Sequence, residues 1–351
     1  MKRVIPTVGL IVGLTSVGLI LSSCAAPAEP ETTAAAEAVI ESDGQLTLYS
    51  GRDEELIAPL IEQFTADTGI EVEVRYGSTP EIAALLLEEG DASPAQVFLS
   101  QDAGALGALS GAGLSSTLPE DLAGAVPAGL TSTDGSWVGV TGRARVIAYD
   151  GEKLTEADLP DGVDGFTDPE WNGRVGFPPG NASFQSFVTA LRVLEGEDAA
   201  DAWVAGIAAN APVLTEKNGA TLDLVDAGQL DAALINHYYW FEKAAEVGAE
   251  NMRAQLKFLP GDAGGVVNVT GAAILAGAEG DPDALAFVEY LVSDDAQTYF
   301  VENTFEYPLV EGIDAPEGLP ELDSLVNSGL DLSDLDSLST TQELLAKHGL
   351  L

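Results

Sequence analysis

Cysteine occurs once in the chain, at Cys24, so no disulfide can form within it and the fold must hold by packing alone. Histidine occurs only at His237 and His348, and methionine only twice. A zinc or copper site draws on Cys, Met or several His, so those metals are disfavoured from the start. Cations are scarce too: 14 Lys and Arg stand against 57 Asp and Glu, a net charge of −43. Such a chain has little with which to neutralise a phosphate backbone, which excludes nucleic acid as a partner. The acids are spread over the whole body, which fits solubility in a salty medium better than a focused field. A nucleophile elbow, a phosphate loop and metal-hydrolase spacing are all missing. An enzyme pairing Asp53 and Asp102 as acid and base beside His237 therefore has no motif behind it.

What is present begins with an address. Lys2 and Arg3 precede an apolar run over 4–21, broken by Pro6 and three glycines, and then Leu21-Ser22-Ser23-Cys24. This reads as an export signal over 1–23, since the run is too short and too broken for a membrane helix. The Leu-Ser-Ser-Cys ending resembles a bacterial lipobox, which implies cleavage before Cys24 and lipid attachment to its sulfur. Cleavage would remove two cations and no acid, leaving 12 basic against 57 acidic residues, a net −45. Residues 24–43, rich in Ala, Pro, Glu and Thr, read as a flexible tether. The remaining body of about 300 residues suits two lobes better than one.

Along that body, strand patterns over 45–50, 70–76 and 95–100 alternate with helical ones over 54–68, 80–89 and 101–109. A second set follows: strands over 174–177, 212–214 and 231–236, with helices over 183–194, 199–209, 221–227 and 241–247. Such alternation predicts an α/β fold with parallel pairing. Two long strand-like stretches, 137–149 and 266–275, read as crossings between the lobes. Helices over 282–292, 294–302 and 341–347 complete the chain. Ligands of such sheets sit off the carboxyl ends of strands, where Asp53, Gln101 and Asp102 fall. Short polar residues there also cap helices, so each has two readings. The loop over 178–183 would offer its amides to an anion at a helix start.

Asn236-His237-Tyr238-Tyr239-Trp240 follows the apolar strand over 231–236. Two adjacent phenols offer two hard anionic oxygens, but a phenol ionises near pH 10, so using both at neutral pH needs a strong cation such as a trivalent metal. Neighbours on a strand point to opposite faces. Both hydroxyls reach one ion only where the strand breaks into a turn or a helix start. The competing reading is an aromatic core cluster of Tyr238, Tyr239, Trp240 and Phe241.

Six segments, in this order, resemble the periplasmic ferric-ion-binding proteins of bacterial iron ABC transporters: Leu48-Tyr49-Ser50-Gly51, Ser93-Pro94-Ala95-Gln96-Val97-Phe98, Gly142-Arg143-Ala144-Arg145-Val146, the run from Asp231 to Trp240, Thr270-Gly271-Ala272-Ala273 and Glu306-Tyr307-Pro308-Leu309. The resemblance implies a type II periplasmic-binding-protein fold of two lobes, each a sheet flanked by helices, joined by two crossing strands. It divides the body into a first lobe of 44–142 with 271–315, a second lobe of 143–270 and a helical tail of 316–351. It makes Tyr238 and Tyr239 ferric ligands. Many members add a histidine where Asp53 stands and a glutamate where Gln101 stands; the two departures compensate in charge. Other members use a further tyrosine near Phe184. Anion contacts would fall on Asn181, Ala182, Ser183, Asn218 and Asn236, with Arg143 as partner to a synergistic carbonate or phosphate, or water completes the shell. Asn181 and Ala182 stand where serine and glycine would be expected. His237 is expected behind the ligands or at the surface.

The implied function is capture of Fe3+ between the lobes and delivery to an ABC permease with its ATPase, by a monomer lipid-anchored at Cys24 to the outer face of the cell membrane. Three alternatives stay open at this point: a binding protein for thiamine or another organic cation held on the faces of Tyr238, Tyr239 and Trp240, a hydrolase, and a sensory lipoprotein.

Overall fold

The computed structural model describes residues 41–326 and 329–351. The export signal, Cys24 and nearly all of the tether lie outside the described residues, among which no helix is long and apolar enough to cross a membrane.

The order begins β1 (Gln45–Ser50), α1 (Glu54–Thr68), β2 (Glu71–Tyr76), α2 (Thr79–Glu89), β3 (Val97–Ser100), α3 (Ala103–Gly111) and α4 (Glu120–Ala123). Helix α1 forms where the pattern calls for it. Ile57, Leu60, Ile61 and Phe64 recur at helical spacing and are buried, Glu54 and Glu55 sit in the first turn against the helix dipole, and Gly69 takes the left-handed conformation that ends it. Ser78 and Glu81 form a capping box at the start of α2.

The long strand β4 (Val138–Asp150) is buried at every position. After it come β5 (Val175–Phe177), α5 (Ala182–Glu195), α6 (Glu197–Ala209), β6 (Val213–Leu214), α7 (Asn218–Asp226), β7 (Ala232–Asn236), α8 (Tyr238–Val247), β8 (Ala254–Phe258) and β9 (Val267–Ile274). Helices α9 (Pro282–Leu291) and α10 (Asp294–Thr304), strand β10 (Tyr307–Pro308), and helices α11 (Leu322–Leu325) and α12 (Leu338–Lys347) close the chain.

The strands that alternate with helices pair in parallel, as expected, and the two crossing strands make the pairing mixed. β1 runs parallel to β2 and β3, and β5 runs parallel to β6 and β7. Every pair made by β4 and β9 is antiparallel. β4 joins the two halves: Val138–Ala144 pair with β9 beside β3, and from Arg145 onward the strand pairs with β7 and β8. A strand that crosses between sheets must run against one neighbour or another, and no local pattern announces that. Both sheets are covered by helices, giving the two-lobed α/β architecture.

One close approach fixes the strand end that reaches the cleft. A Cβ on Gly51 would lie 2.0 Å from Thr79 Oγ1 and 2.9 Å from Thr79 Cα. The Thr79 hydroxyl donates to the Gly51 carbonyl at 3.2 Å and accepts the Gln101 amide at 3.0 Å. Gly51→Ala should therefore force backbone apart and cost about 1–3 kcal/mol. Urea denaturation tests this, and an unchanged midpoint would remove the packing role assigned to Gly51.

Candidate metal centre

Tyr238 and Tyr239 occupy the first turn of α8, which starts three residues before the sequence pattern places it, with no loop after β7. His237 already has helical backbone angles. On a helix successive side chains diverge by roughly 100°, not 180°, so adjacent tyrosines can face the same side. Their rings stack at 4.2 Å between centroids with 28° between planes. Tyr238 is fully buried and Tyr239 partly exposed. Tyr239 lines a cleft of about 410 Å³, with Arg52, Asp53, Thr79 and Gln101 on one wall and Asn181, Ala182 and Lys217 on the other.

Gln101 is buried, and its side-chain amide donates to Tyr238 Oη at 3.5 Å. Asp53 sits at the cleft mouth just before α1, makes no capping bond, and pairs with Lys217 across the cleft at 3.2 Å. Asp102 caps α3 through Ala105 N–H and accepts from Ser186 at 2.9 Å. The capping reading thus applies to Asp102 and not to Asp53.

The residues assigned to an anion divide. Arg143 Nη1 and Asn236 Nδ2 both donate to Ser183 Oγ at 3.0 Å, so these three are joined and buried. Asn181 turns inward to cap α5, accepting Ser183 N–H at 3.0 Å, and Ala182 opens that helix. Asn218, at the start of α7, is fully buried with both amide atoms unpartnered. A buried amide left without partners is costly, so Asn218 retains capacity for a ligand. Phe184 stacks on Phe177 at 4.4 Å between centroids and contributes no oxygen.

His237 is fully buried, which corrects the surface half of its expected placement. Its Nδ1 accepts the Ala144 amide at 3.1 Å, and its Nε2 faces the Phe305 carbonyl at 2.9 Å. Burial pulls its pKa down to about 4, so it is neutral and ties α8 to the chain around it.

Sequence reasoning missed the group behind the tyrosines. Arg52 is buried, bonds Glu306 Oε1 at 2.5 Å, and carries its guanidinium 5.8 Å from the centroid of the Tyr238 ring. Glu306 also accepts from the Thr141 hydroxyl. Burial alone would lower the pKa of Arg52, but Glu306, Tyr238 and Tyr239 together raise it. Arg143 and Arg145 are buried nearby; burial, with Arg143 beside it, lowers Arg145 to about 9. Glu306 and Asp102 are carboxylates that act on these guanidiniums. The signal for Arg52 was its position between Gly51 and Asp53 in a chain poor in cations.

Burial raises the pKa of both phenols, and in Tyr239 the neighbouring Tyr238 adds to it. Both are therefore neutral in the metal-free fold, and only a cation strong enough to displace their protons draws out two phenolates. Among the described residues no group of three His, Cys, Asp or Glu is placed to hold a metal.

The family of bacterial extracellular solute-binding proteins matches residues 92–327. The major ferric iron-binding protein of Neisseria meningitidis is 36% identical over 282 residues, 79% of this chain and 84% of that one. The Fe(3+)-binding periplasmic protein of Serratia marcescens is 32% identical over 312 residues, 88% and 92% of the two chains. The crystal structure of iron-bound HitA from Pseudomonas aeruginosa superposes with a TM-score of 0.82 at 32% identity, covering 87% of this chain and 99% of that one. The chain belongs to the bacterial extracellular solute-binding proteins, a family of binding proteins rather than enzymes, and its relatives there include ferric iron-binding proteins.

Proposed function

We propose that this protein captures ferric iron in the cleft between its lobes, outside the cytoplasm, and delivers it to an ABC permease driven by an ATPase. The observation that carries the reading is the stacked Tyr238–Tyr239 pair, with Tyr239 lining the cleft, Tyr238 buried against it and buried Arg52 and Arg143 close by. Tyr238 and Tyr239 would bind as phenolates, a donor type suited to a hard trivalent ion. Asp53 would exchange Lys217 for the metal, and Gln101 would supply a neutral oxygen or hold Tyr238. Carbonate, phosphate or water would complete the shell, received by Asn218, Ser183 and Asn236 with Arg143 behind them, while Asn181 and Ala182 shape the helix start. The relatives named for ferric iron support the cargo.

In this reading the first lobe comprises 44–142 with 271–315, the second 143–270, and 316–351 form the tail. β4 and β9 are the hinge strands, and closure brings Asp53 and Gln101 onto the tyrosines. The protein works as a monomer, and a lipid on Cys24 after removal of 1–23 tethers it to the outer face of the membrane.

Ferric iron added to the iron-stripped protein should produce a visible phenolate-to-iron charge-transfer band. Iron in a thousandfold excess over Kd should add about 4 kcal/mol of stability, seen as a rise in Tm. Absence of the band, with no heat of binding in calorimetry, would sink the ferric assignment.

A further inference from the structure

Glu242 stands four residues after Tyr238 and three after Tyr239 on α8, the two spacings that put helical side chains on one face. Its side chain is partly buried, and its Oε1 is fully enclosed with no hydrogen-bond partner. Its charged neighbours are Glu306, Arg52 and Asp53. Arg52 and Glu306 also neighbour Tyr238, and Arg52 and Asp53 also neighbour Tyr239. Glu242 and the phenol pair thus share the same charged surroundings on one face of α8.

Two of those three neighbours are acids, and the cation, Arg52, is already bonded to Glu306. An enclosed carboxyl oxygen with no donor is an acceptor whose burial no contact offsets, and a cation would supply the missing partner. The next residue behaves differently: Lys243 turns away to pair with Asp223 at 2.6 Å and Asp226 at 3.1 Å. Helix α8 thus has a cation one residue away and does not use it on Glu242.

We propose that Glu242 is a further oxygen donor to the ferric cargo, supplying from α8 the carboxylate that Gln101 cannot. The proposal rests on the ferric reading of Tyr238 and Tyr239. It adds a third anionic side chain from the second lobe, independent of whether Asp53 leaves Lys217.

The test compares wild type, Glu242→Gln, Glu242→Ala and, as control, Glu246→Gln, whose side chain is exposed one turn on. Each iron-stripped protein is titrated with ferric iron against a competing chelator while the visible band and the iron-free Tm are recorded. Both Glu242 variants should bind iron at least about 10-fold more weakly, in the range that loss of a metal site's supporting group produces. Their band should move to longer wavelength, because iron with one anionic donor fewer is a better acceptor. Their iron-free Tm should rise, because an enclosed unpartnered acid has gone. Glu246→Gln should match wild type throughout. A wild-type band with unchanged affinity in both Glu242 variants overturns the proposal and leaves the ferric reading standing. Weaker binding with an unmoved band also overturns it, since it puts Glu242 outside the coordination shell. No band in wild type fails the ferric reading itself.

Discussion

Replacing Tyr238 and Tyr239 together by phenylalanine should abolish the ferric charge-transfer band and cut iron affinity by roughly four powers of ten. The magnitude follows from metal sites in which about four ligands share 10–16 kcal/mol, or about 3 kcal/mol per donor, so that losing two costs about 6 kcal/mol. Each single variant keeps one phenolate and should retain a weaker, shifted band. The fold should survive, because the rings and their 4.2 Å stacking remain and the hydrogen bond that Tyr238 Oη accepts from Gln101 is a long one, at 3.5 Å. Phenylalanine is the informative choice for a second reason. An organic cation held on aromatic faces needs rings and not hydroxyls, so a thiamine-like ligand would bind the double variant about as well as wild type. Spectrophotometric titration with ferric iron, set beside calorimetry with thiamine, separates the two. A double variant that keeps its iron band would refute the phenolate site.

Much of this arrangement is legible in the sequence. Helix α1 begins and ends where its apolar spacing and Gly69 place it, because local signals alone determine both ends. The tyrosine pair could be read from adjacency, since two neighbouring phenols acquire a shared target only at a strand-to-helix junction. The start of α8 was set three residues late because His237, Tyr238 and Tyr239 carry no capping signature; the strand runs into the helix with no loop. Strand β8 was missed for a related reason: it is five residues long, mostly half-exposed, and defined by its pairing with β4 rather than by its own pattern. The parallel direction of the strands alternating with helices was legible, whereas that of β4 and β9 was not, because they take theirs from crossing between the lobes. The charges behind the site were hidden by distance along the chain. Arg52 and Glu306 are 254 positions apart, and neither residue looks unusual until the other is beside it.

That ion pair carries the largest expected effect on stability. Arg52 and Glu306 have no exposed side-chain surface, and the Nε and Nη1 of Arg52 already lack partners, so the guanidinium depends on one carboxylate. Glu306→Gln keeps the shape and the contact with Thr141 but removes the charge. A buried ion pair that loses one partner costs about 3–5 kcal/mol, because the remaining charge stays desolvated and uncompensated. At about 2 °C per kcal/mol for a chain of this size, the iron-free Tm should fall by roughly 8 °C. Replacing both residues together by apolar side chains of similar volume should recover much of that loss, since desolvation of the pair disappears with it. Iron affinity separates the structural role from a functional one. If Arg52 with Glu306 serves only packing, the apolar double variant should regain both Tm and iron binding. If the positive charge near Tyr238 matters to the site, Tm should recover while the charge-transfer band stays shifted. The position of Arg52 beside the Tyr238 ring predicts the second result, and calorimetry with absorption on the two variants decides it.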